Sequence, residues 1–261
     1  MIEDLDESNV DDLLGILASK PLANITMIAD CTQLKHWCDI RLLKQDGKLT
    51  AAFSLYHDLD FLAGAFWAES SASLHTLLRD FDDQIRGQSL VIICNEDQLK
   101  MLSAVCDNVV PIRERQMIAD NSSNLSEWGD VPPEKLSPLD ADDLRKLYIN
   151  CGIPAWTPSV LELGPFYGIR DVKENIVCVA GVHYVTRFGA EIGNVATLPD
   201  FRRRGLASSC IRAVAEELLD DIPIVVLHYF DENRPAQLLY ERMGFSYSDS
   251  DPVYFTKVRF D

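Results

Sequence analysis

A helix that crosses a bilayer needs roughly 20 consecutive apolar residues, and no run in this chain of 261 residues approaches that length. No membrane association is therefore expected. The opening residues, MIEDLDESNVDD, are acidic where a secretory leader is basic, so a cytoplasmic location is expected. Positive charge is scarce: 24 Lys and Arg against 41 Asp and Glu leave a formal charge of −17. Divided at residue 125, the chain holds 10 basic against 20 acidic residues before and 14 against 21 after. Neither half offers the broad basic face that releases counterions from phosphates, which argues against a nucleic-acid binder. Cysteines at metal-ligand spacing are also missing. The seven present are odd in number and scattered, mostly inside apolar runs such as LVIIC and IVCVAGV. Cys31 and Cys38 are too far apart for a zinc knuckle, and His36, His57 and His75 show no ligand spacing. Buried free thiols in a reducing compartment fit that usage, and no metal site is expected.

What is present suffices for two cores, since 47% of the residues are hydrophobic. The acidic surface has two readings. It draws cationic partners such as polyamines or basic peptides, or it serves solubility. Between Asn121 and Pro138 the stretch NSSNLSEWGDVPPEKLSP has few apolar residues, a Pro pair and no helical or strand period. It sets the expected division: an N-terminal α/β domain over 1–125, a linker over 126–138 and a second domain over 139–261. The sequence leaves the oligomeric state open.

In the first half, DDLLGILASK and NITMIADCTQLKHW carry helical spacing, and DIRLLKQDGKLTAAFSLYHDL reads as two strands about Asp46-Gly47. Strands follow at FLAGAFW, SLVIIC and PIRERQMIA, separated by helical stretches, with no phosphate-binding loop among them. The second half opens with a helix near Asp140 to Asn150 and an irregular segment, CGIPAWTPSV. Three strand-like runs, PFYGIRD, NIVCVAGVHYVT and EIGNVATL, then form a meander. A long helix follows, with Leu206, Cys210, Ile211, Val214 and Leu218 on one face, and after it a strand, IPIVVLHYF, and a helix that Gly244 stops.

The segment EIGNVATLPDFRRRGLASS runs from a strand through a short loop directly into that long helix. A helix so placed aims its unpaired N–H groups and its positive dipole end over the strand end, a geometry that binds phosphate. Arg202, Arg203 and Arg204 bring positive charge there, Gly205 allows close backbone approach, and Ala207 and Ser208 keep the first turn small. The other reading is a solvated basic patch beside a loop glycine. Three cations at a helix N-terminus oppose the dipole, however, unless an anion occupies it.

Arg202-Arg203-Arg204-Gly205-Leu206-Ala207 resembles the Q/R-x-x-G-x-G/A pyrophosphate loop of the GNAT superfamily of N-acetyltransferases. Val195-Ala196-Thr197 with Pro199 resembles the strand and bend before that loop. Asn233, Ala236, Leu239, Tyr240, Gly244 and Phe245 match the family's later N-x-x-A-x-x-L-Y-x-x-x-G-F motif. The resemblance spans Leu136 to Asp261 and implies an α+β fold, a GNAT-type mixed, mostly antiparallel sheet splayed open, with flanking helices. Acetyl-CoA would enter the opening as co-substrate: its pantetheine would pair with Val195, Ala196 and Thr197, and its pyrophosphate would meet the amides of Gly205, Leu206, Ala207 and Ser208 beside Arg202 to Arg204. Asn233 would contact the cofactor, or else cap its helix before Pro235. Tyr240 matches the tyrosine beside the thioester sulfur, which protonates the leaving thiolate; the alternative is a core tyrosine.

Glu191 stands where several family members carry the carboxylate that deprotonates the acceptor amine, and a strand-end charge facing water is the competing reading. A lysine-type amine costs about 4.6 kcal/mol to neutralise at pH 7 and an α-amine about 1.4 kcal/mol, so a base helps the former more. His183 is the other candidate base. Pro154, Trp156 and Tyr167 lie where the resemblance bounds the acceptor pocket, although an aromatic in a loop also serves as a core plug. The first half has the family's order of elements without the loop, which makes it a degenerate GNAT-like domain. The expected activity is acetyl transfer to a small-molecule or peptide amine by direct attack. A longer acyl-CoA donor and a non-catalytic coenzyme A-binding module are the alternatives.

Overall fold

Asp46 and Gly47 both take positive φ, 50° and 77°, the backbone that a two-residue hairpin turn demands. The two strands they join are β2 (Cys38–Gln45) and β3 (Lys48–Tyr56), whose antiparallel register sets Leu42 opposite Ala52. The structure is a computed structural model and describes residues 1–126, 128–153 and 156–260. It divides into two compact units, one of Met1–Arg115 with Asp249–Asp261, the other of Gln116–Ser248.

Before that hairpin the first unit holds β1 (Ile2–Asp4), α1 (Val10–Leu17) and α2 (Ile25–Cys31). After it come β4 (Leu62–Ala68), α3 (Ser71–Asp80), the short α4 (Asp82–Ile85), β5 (Ser89–Asn95), α5 (Glu96–Val105) and β6 (Asn108–Asp120). β1 to β4 form an antiparallel run, and β5 lies parallel to β4 through Leu62 to Gly64. Phe53, Phe66, Leu74, Leu77, Phe81, Leu90, Ile92 and Leu102 meet in the core, each large side chain contributing about 1.5–3 kcal/mol by leaving water.

The second unit repeats this order. β7 (Glu134–Lys135) and α6 (Ala141–Cys151) lead to a meander of β8 (Tyr167–Arg170), β9 (Ile176–Thr186) and β10 (Gly189–Thr197). Then follow α7 (Leu206–Leu219), the parallel strand β11 (Ile224–Phe230), α8 (Arg234–Met243) and β12 (Ser246–Tyr247). The apolar face expected of α7 is the buried one: Leu206, Cys210, Ile211, Val214 and Leu218 are all inside. The mixed, mostly antiparallel sheet with flanking helices expected from the motifs is present. Five of the seven cysteines are buried, Cys38 and Cys151 are partly so, and all are free thiols.

The units do not coincide with the domains drawn at 1–125 and 139–261. The last strand, β13 (Val253–Arg259), lies between β5 and β6 in the first unit, with Val253 opposite both Asn95 and Glu114. Conversely β6, whose residues from Gln116 on belong to the second unit, lies beside β11, and its Met117 and Ile118 pair with β12. Each unit thus contains a segment from the half of the chain assigned to the other. The stretch at 121–138 is a connector inside the second unit.

One carboxyl sits inside the first unit. Asp30 on α2 is buried beside Ser54 and Cys38, and burial pushes it up to about 7 against the opposing influence of those two side chains. An acid whose folded value lies above its unfolded value of about 3.9 adds its full stabilisation below that pH. The contribution is lost as pH rises to about 7. Stability is expected to decline across that window, and Asp30→Asn to flatten the decline. Urea unfolding at stepped pH, read by amide exchange in α2, measures it; an equal slope in both proteins rejects the buried acid.

Candidate functional site

Among the described residues β10 and β11 pair at Ala190 with Val225 and at Glu191 with Val226. Beyond Glu191 no further pairing of the two occurs among the described residues, so the sheet opens there. Two irregularities accompany the parting. Glu191 stands opposite Tyr184 and Ile192 opposite Val182, which makes His183 an extra residue of β9; Gly193 faces Gly181 and Ala196 faces Val179, which makes β10 the longer strand next. Such bulges bend a strand and re-aim its side chains. Asn194, at φ 52°, marks the second. It is held on both sides: its amide donates to the Val182 carbonyl at 3.2 Å, and its own carbonyl accepts from the Tyr148 hydroxyl at 2.9 Å. Ala196 and Thr197 remain paired to β9, so Val195 to Thr197 present their other edge to the opening, as an extended ligand requires.

The loop after β10 reaches α7 through Arg203 and Gly205, both at positive φ, 62° and 77°. Among the described residues the backbone N–H groups of Arg203 to Ser208 find no acceptor, and the first helical bond is Ser209 N–H to the Gly205 carbonyl at 3.3 Å. Those amides form a cradle for an anion. The three arginines differ in duty. Arg202 donates from Nε to the Thr197 carbonyl at 3.0 Å, and Arg204 donates to the Asp200 carbonyl at 2.7 Å while lying over Phe201. Both brace the loop, which leaves the exposed Arg203 as the one of the three whose side chain has no partner among the described residues. Leu206 and Ser208 turn inward and offer only their amides; the Ser208 hydroxyl donates to the Gly205 carbonyl. Gly205 itself is approached by the connector rather than left open: a Cβ there would lie 2.7 Å from Gly129 N and 2.8 Å from the Trp128 carbonyl carbon.

The first unit explains by contrast why it has no such cradle. At the matching corner, between β4 and α3, Ser70 caps the helix by accepting from Ser73 N–H at 3.1 Å, and the neighbouring Glu69 carries negative charge paired to Lys48. One of its amides is thus taken by the cap, and the residue before the cap is acidic where the second unit has arginine.

Glu191 is the centre of a cluster. Its Oε1 lies 3.0 Å from His183 Nδ1 on β9 and 3.0 Å from His228 Nδ1 on β11. Side-chain exposure is 38% for His183, 11% for Glu191 and 9% for His228, so the cluster reaches solvent at His183. Burial is the strongest influence on Glu191 and pushes its carboxyl up, yet the two imidazoles together outweigh it and hold the group well below the usual carboxylate range. An ionised Glu191 therefore stabilises the fold throughout neutral pH, a contribution lost only as acid takes the group through its depressed value. Gly193 makes room for the cluster, since a Cβ there would come within 2.4 Å of the His183 ring.

The remaining expected residues fall out as follows. Tyr240 on α8 is buried against Tyr229 and Phe245, burial pushes its phenol up to about 12, and its hydroxyl has no partner among the described residues. Asn233 caps α8, its side chain accepting from Ala236 N–H at 3.3 Å, so the capping role holds. Trp156 packs on Tyr148 with ring centres 5.1 Å apart, and the Tyr167 hydroxyl donates to Glu217 on α7 at 2.8 Å. The Trp156 contact fits the reading of a core plug, while Pro154 lies outside the described residues. Among the described residues no group of His, Cys, Asp and Glu is arranged to hold a metal. The sequence reading missed His228 and Gln116, whose partners are far away in the chain. Gly193 carried a signal, because glycine inside a strand marks a close approach.

A meander, a helix entered through a glycine loop, a parallel strand that parts from its neighbour and a final helix constitute the GNAT acetyltransferase fold, which this chain carries. Solved structures agree. A GNAT-family protein from Novosphingobium aromaticivorans superposes with a TM-score of 0.67 over 92% of this chain and 99% of that one, at 20% identity. A GCN5-related N-acetyltransferase from Sphaerobacter thermophilus gives 0.69 over 99% and 95% at 14% identity. A tandem GNAT protein from the clavulanic acid biosynthesis pathway gives 0.62 over 99% and 97% at 13% identity. Residues 167–252, all but the last four of them in the second unit, match the family FR47-like protein. Comparison with curated proteins finds no significant match.

Gly47 and Gly205 share φ 77°, but only Gly205 has atoms within 4 Å of a built Cβ. Gly205→Ala is therefore expected to cost about 1–3 kcal/mol more than Gly47→Ala, the difference being the overpacking against the connector. Urea denaturation of both variants measures it, and equal losses would place the connector away from the loop.

Proposed function

We propose that the second unit transfers an acyl group, acetyl first among them, from coenzyme A to an amine that attacks the thioester directly. The observation that carries this reading is the run of amides from Arg203 to Ser208 without acceptors, set where β10 parts from β11. Amides left unpaired at a helix start favour an anion, and a diphosphate is the anion that brings with it an extended arm suited to the edge of Val195, Ala196 and Thr197. Arg203 supplies the free positive charge.

The chemistry then falls to His183 and Glu191. With Nδ1 turned to the carboxylate, His183 presents Nε2 to the exposed side and accepts the proton of the attacking amine, while Glu191 orients the ring and offsets the charge it gains. The new C–N bond forms as the C–S bond breaks, and the electron pair leaves with sulfur. Tyr240 donates a hydrogen bond to that sulfur rather than its proton. A phenol near 12 facing a thiol of about 8.5 would lose about 5 kcal/mol on full transfer.

Acetyl-CoA with a panel of amines, followed by thiol release, tests the reading. His183→Ala is expected to lower kcat by about 10²–10⁴-fold while leaving coenzyme A affinity unchanged. Arg203→Glu is expected to weaken that affinity about tenfold or more by calorimetry, with kcat retained, because it reverses the charge at the anion cradle. Binding without turnover across the panel would favour a ligand-sensing module, and absence of binding heat would remove the cofactor from the account.

A further inference from the structure

The Glu191 cluster does not end at His228. On the far side of that ring, His228 Nε2 lies 2.9 Å from Gln116 Nε2 on β6, and the Gln116 carbonyl oxygen accepts from the Ser248 hydroxyl just beyond β12. The Ser248 backbone N–H also donates to the Gln116 backbone carbonyl at 3.1 Å, which fixes the two residues to each other. Gln116 and Ser248 are buried, as are Glu191 and all but an edge of His228. A line of five side chains therefore crosses neighbouring strands, from Ser248 through Gln116, His228 and Glu191 to His183.

Donor and acceptor chemistry gives this line a direction. An ionised carboxylate accepts only, so both imidazoles must present Nδ1–H to Glu191. A neutral imidazole with its proton on Nδ1 has a lone pair on Nε2, and the amide of Gln116 supplies the matching N–H. The other end of that amide is an acceptor only, and the Ser248 hydroxyl fills it. Every step agrees: Ser248 O–H to Gln116, Gln116 N–H to His228, His228 N–H to Glu191, and His183 N–H to Glu191. Of the two imidazoles in the line, His228 has its Nε2 engaged by Gln116, while the Nε2 of His183 has no partner among the described residues.

We propose that Ser248 and Gln116 are positioning residues that hold His228 neutral with its proton on Nδ1, so that of the two imidazoles only His183 offers its Nε2 to a proton. The proposal rests on the acyl-transfer reading for its purpose, since an imidazole with a defined basic nitrogen is what amine deprotonation needs. Its geometry stands without that reading. Were His228 free to protonate, a second cation would face Glu191, the carboxylate would be shared between two imidazoliums, and its hold on the His183 proton would weaken.

Nitrogen-15 spectra of the imidazoles in the full chain without ligand test this directly. The expected result is a protonated Nδ1 and an unprotonated Nε2 at His228 near neutral pH. A proton on Nε2 overturns the proposal, whatever the protein proves to catalyse. Gln116→Glu, which replaces the amide donor by a carboxylate, is expected to place a proton between that side chain and His228 and to lower kcat at least tenfold, with both KM values within about twofold. Unchanged kcat with an altered His228 signal would limit the line to packing and overturn its positioning role. Should that variant not fold, His228→Asn and His228→Leu replace it. Asn keeps an N–H near Nδ1 and should retain most of kcat, whereas Leu should lose at least tenfold; equal losses refute the role. If no amine serves as acceptor, the acyl-transfer reading fails while the spectra still decide the direction of the line.

Discussion

A parallel pair of strands that stays together for two residues and then separates is costly to hold open, because each backbone group past the parting forfeits its ladder partner. In the second unit that separation, just after Glu191, is the constraint on which the remaining features depend. It exposes the edge of Val195 to Thr197, it sets α7 with its uncapped amides at the mouth, and it leaves Glu191 as the last paired residue, flanked by a strand on each side. Asn194 and Tyr148 act as the wedge, satisfying the bulged backbone from within. Without those two hydrogen bonds β10 would have reason to follow β11 and close the gap.

The comparison between the units shows how little separates a helix start with open amides from a capped one. Both have the same order of strands and helices, and both have a parallel pair with a helix between. In the first, a serine supplies the cap and a glutamate supplies the charge. In the second, glycine leaves the amides bare, and a cation stands beside them. A helix start satisfies its amides internally or lends them to a guest, and one residue at the cap largely decides which.

What the chain revealed about itself as a string of letters divides along physical lines. The glycine loop, the helix face of Leu206 to Leu218, the cap at Asn233 and the Asp46-Gly47 turn were readable because each is a local matter, settled by a few neighbouring residues. Glu191 was singled out through the family resemblance, by standing where several members carry a carboxylate. His228 and Gln116 were not: the first sits in a strand whose apolar neighbours overshadow it, and its partner is more than a hundred residues away. The partners of Trp156 and Tyr167, Tyr148 and Glu217, were hidden for the same reason, since an aromatic takes its meaning from what it touches. The domain limits failed where β13 and the end of β6 are concerned, because pairing between distant strands leaves no periodicity or turn chemistry in either partner.

That strand exchange has a bearing on how the molecule can be taken apart. A cut in the connector, where composition invites it, would yield two polypeptides that each carry a strand belonging to the other's sheet and lack the one that finishes their own. Neither piece would be a self-sufficient body, and both would offer raw edges to whatever chain came near. A faithful dissection has to follow the weave instead: the second unit lifted out whole from Gln116 to Ser248, and the first rejoined across the gap by a short bridge from Arg115 to Asp249.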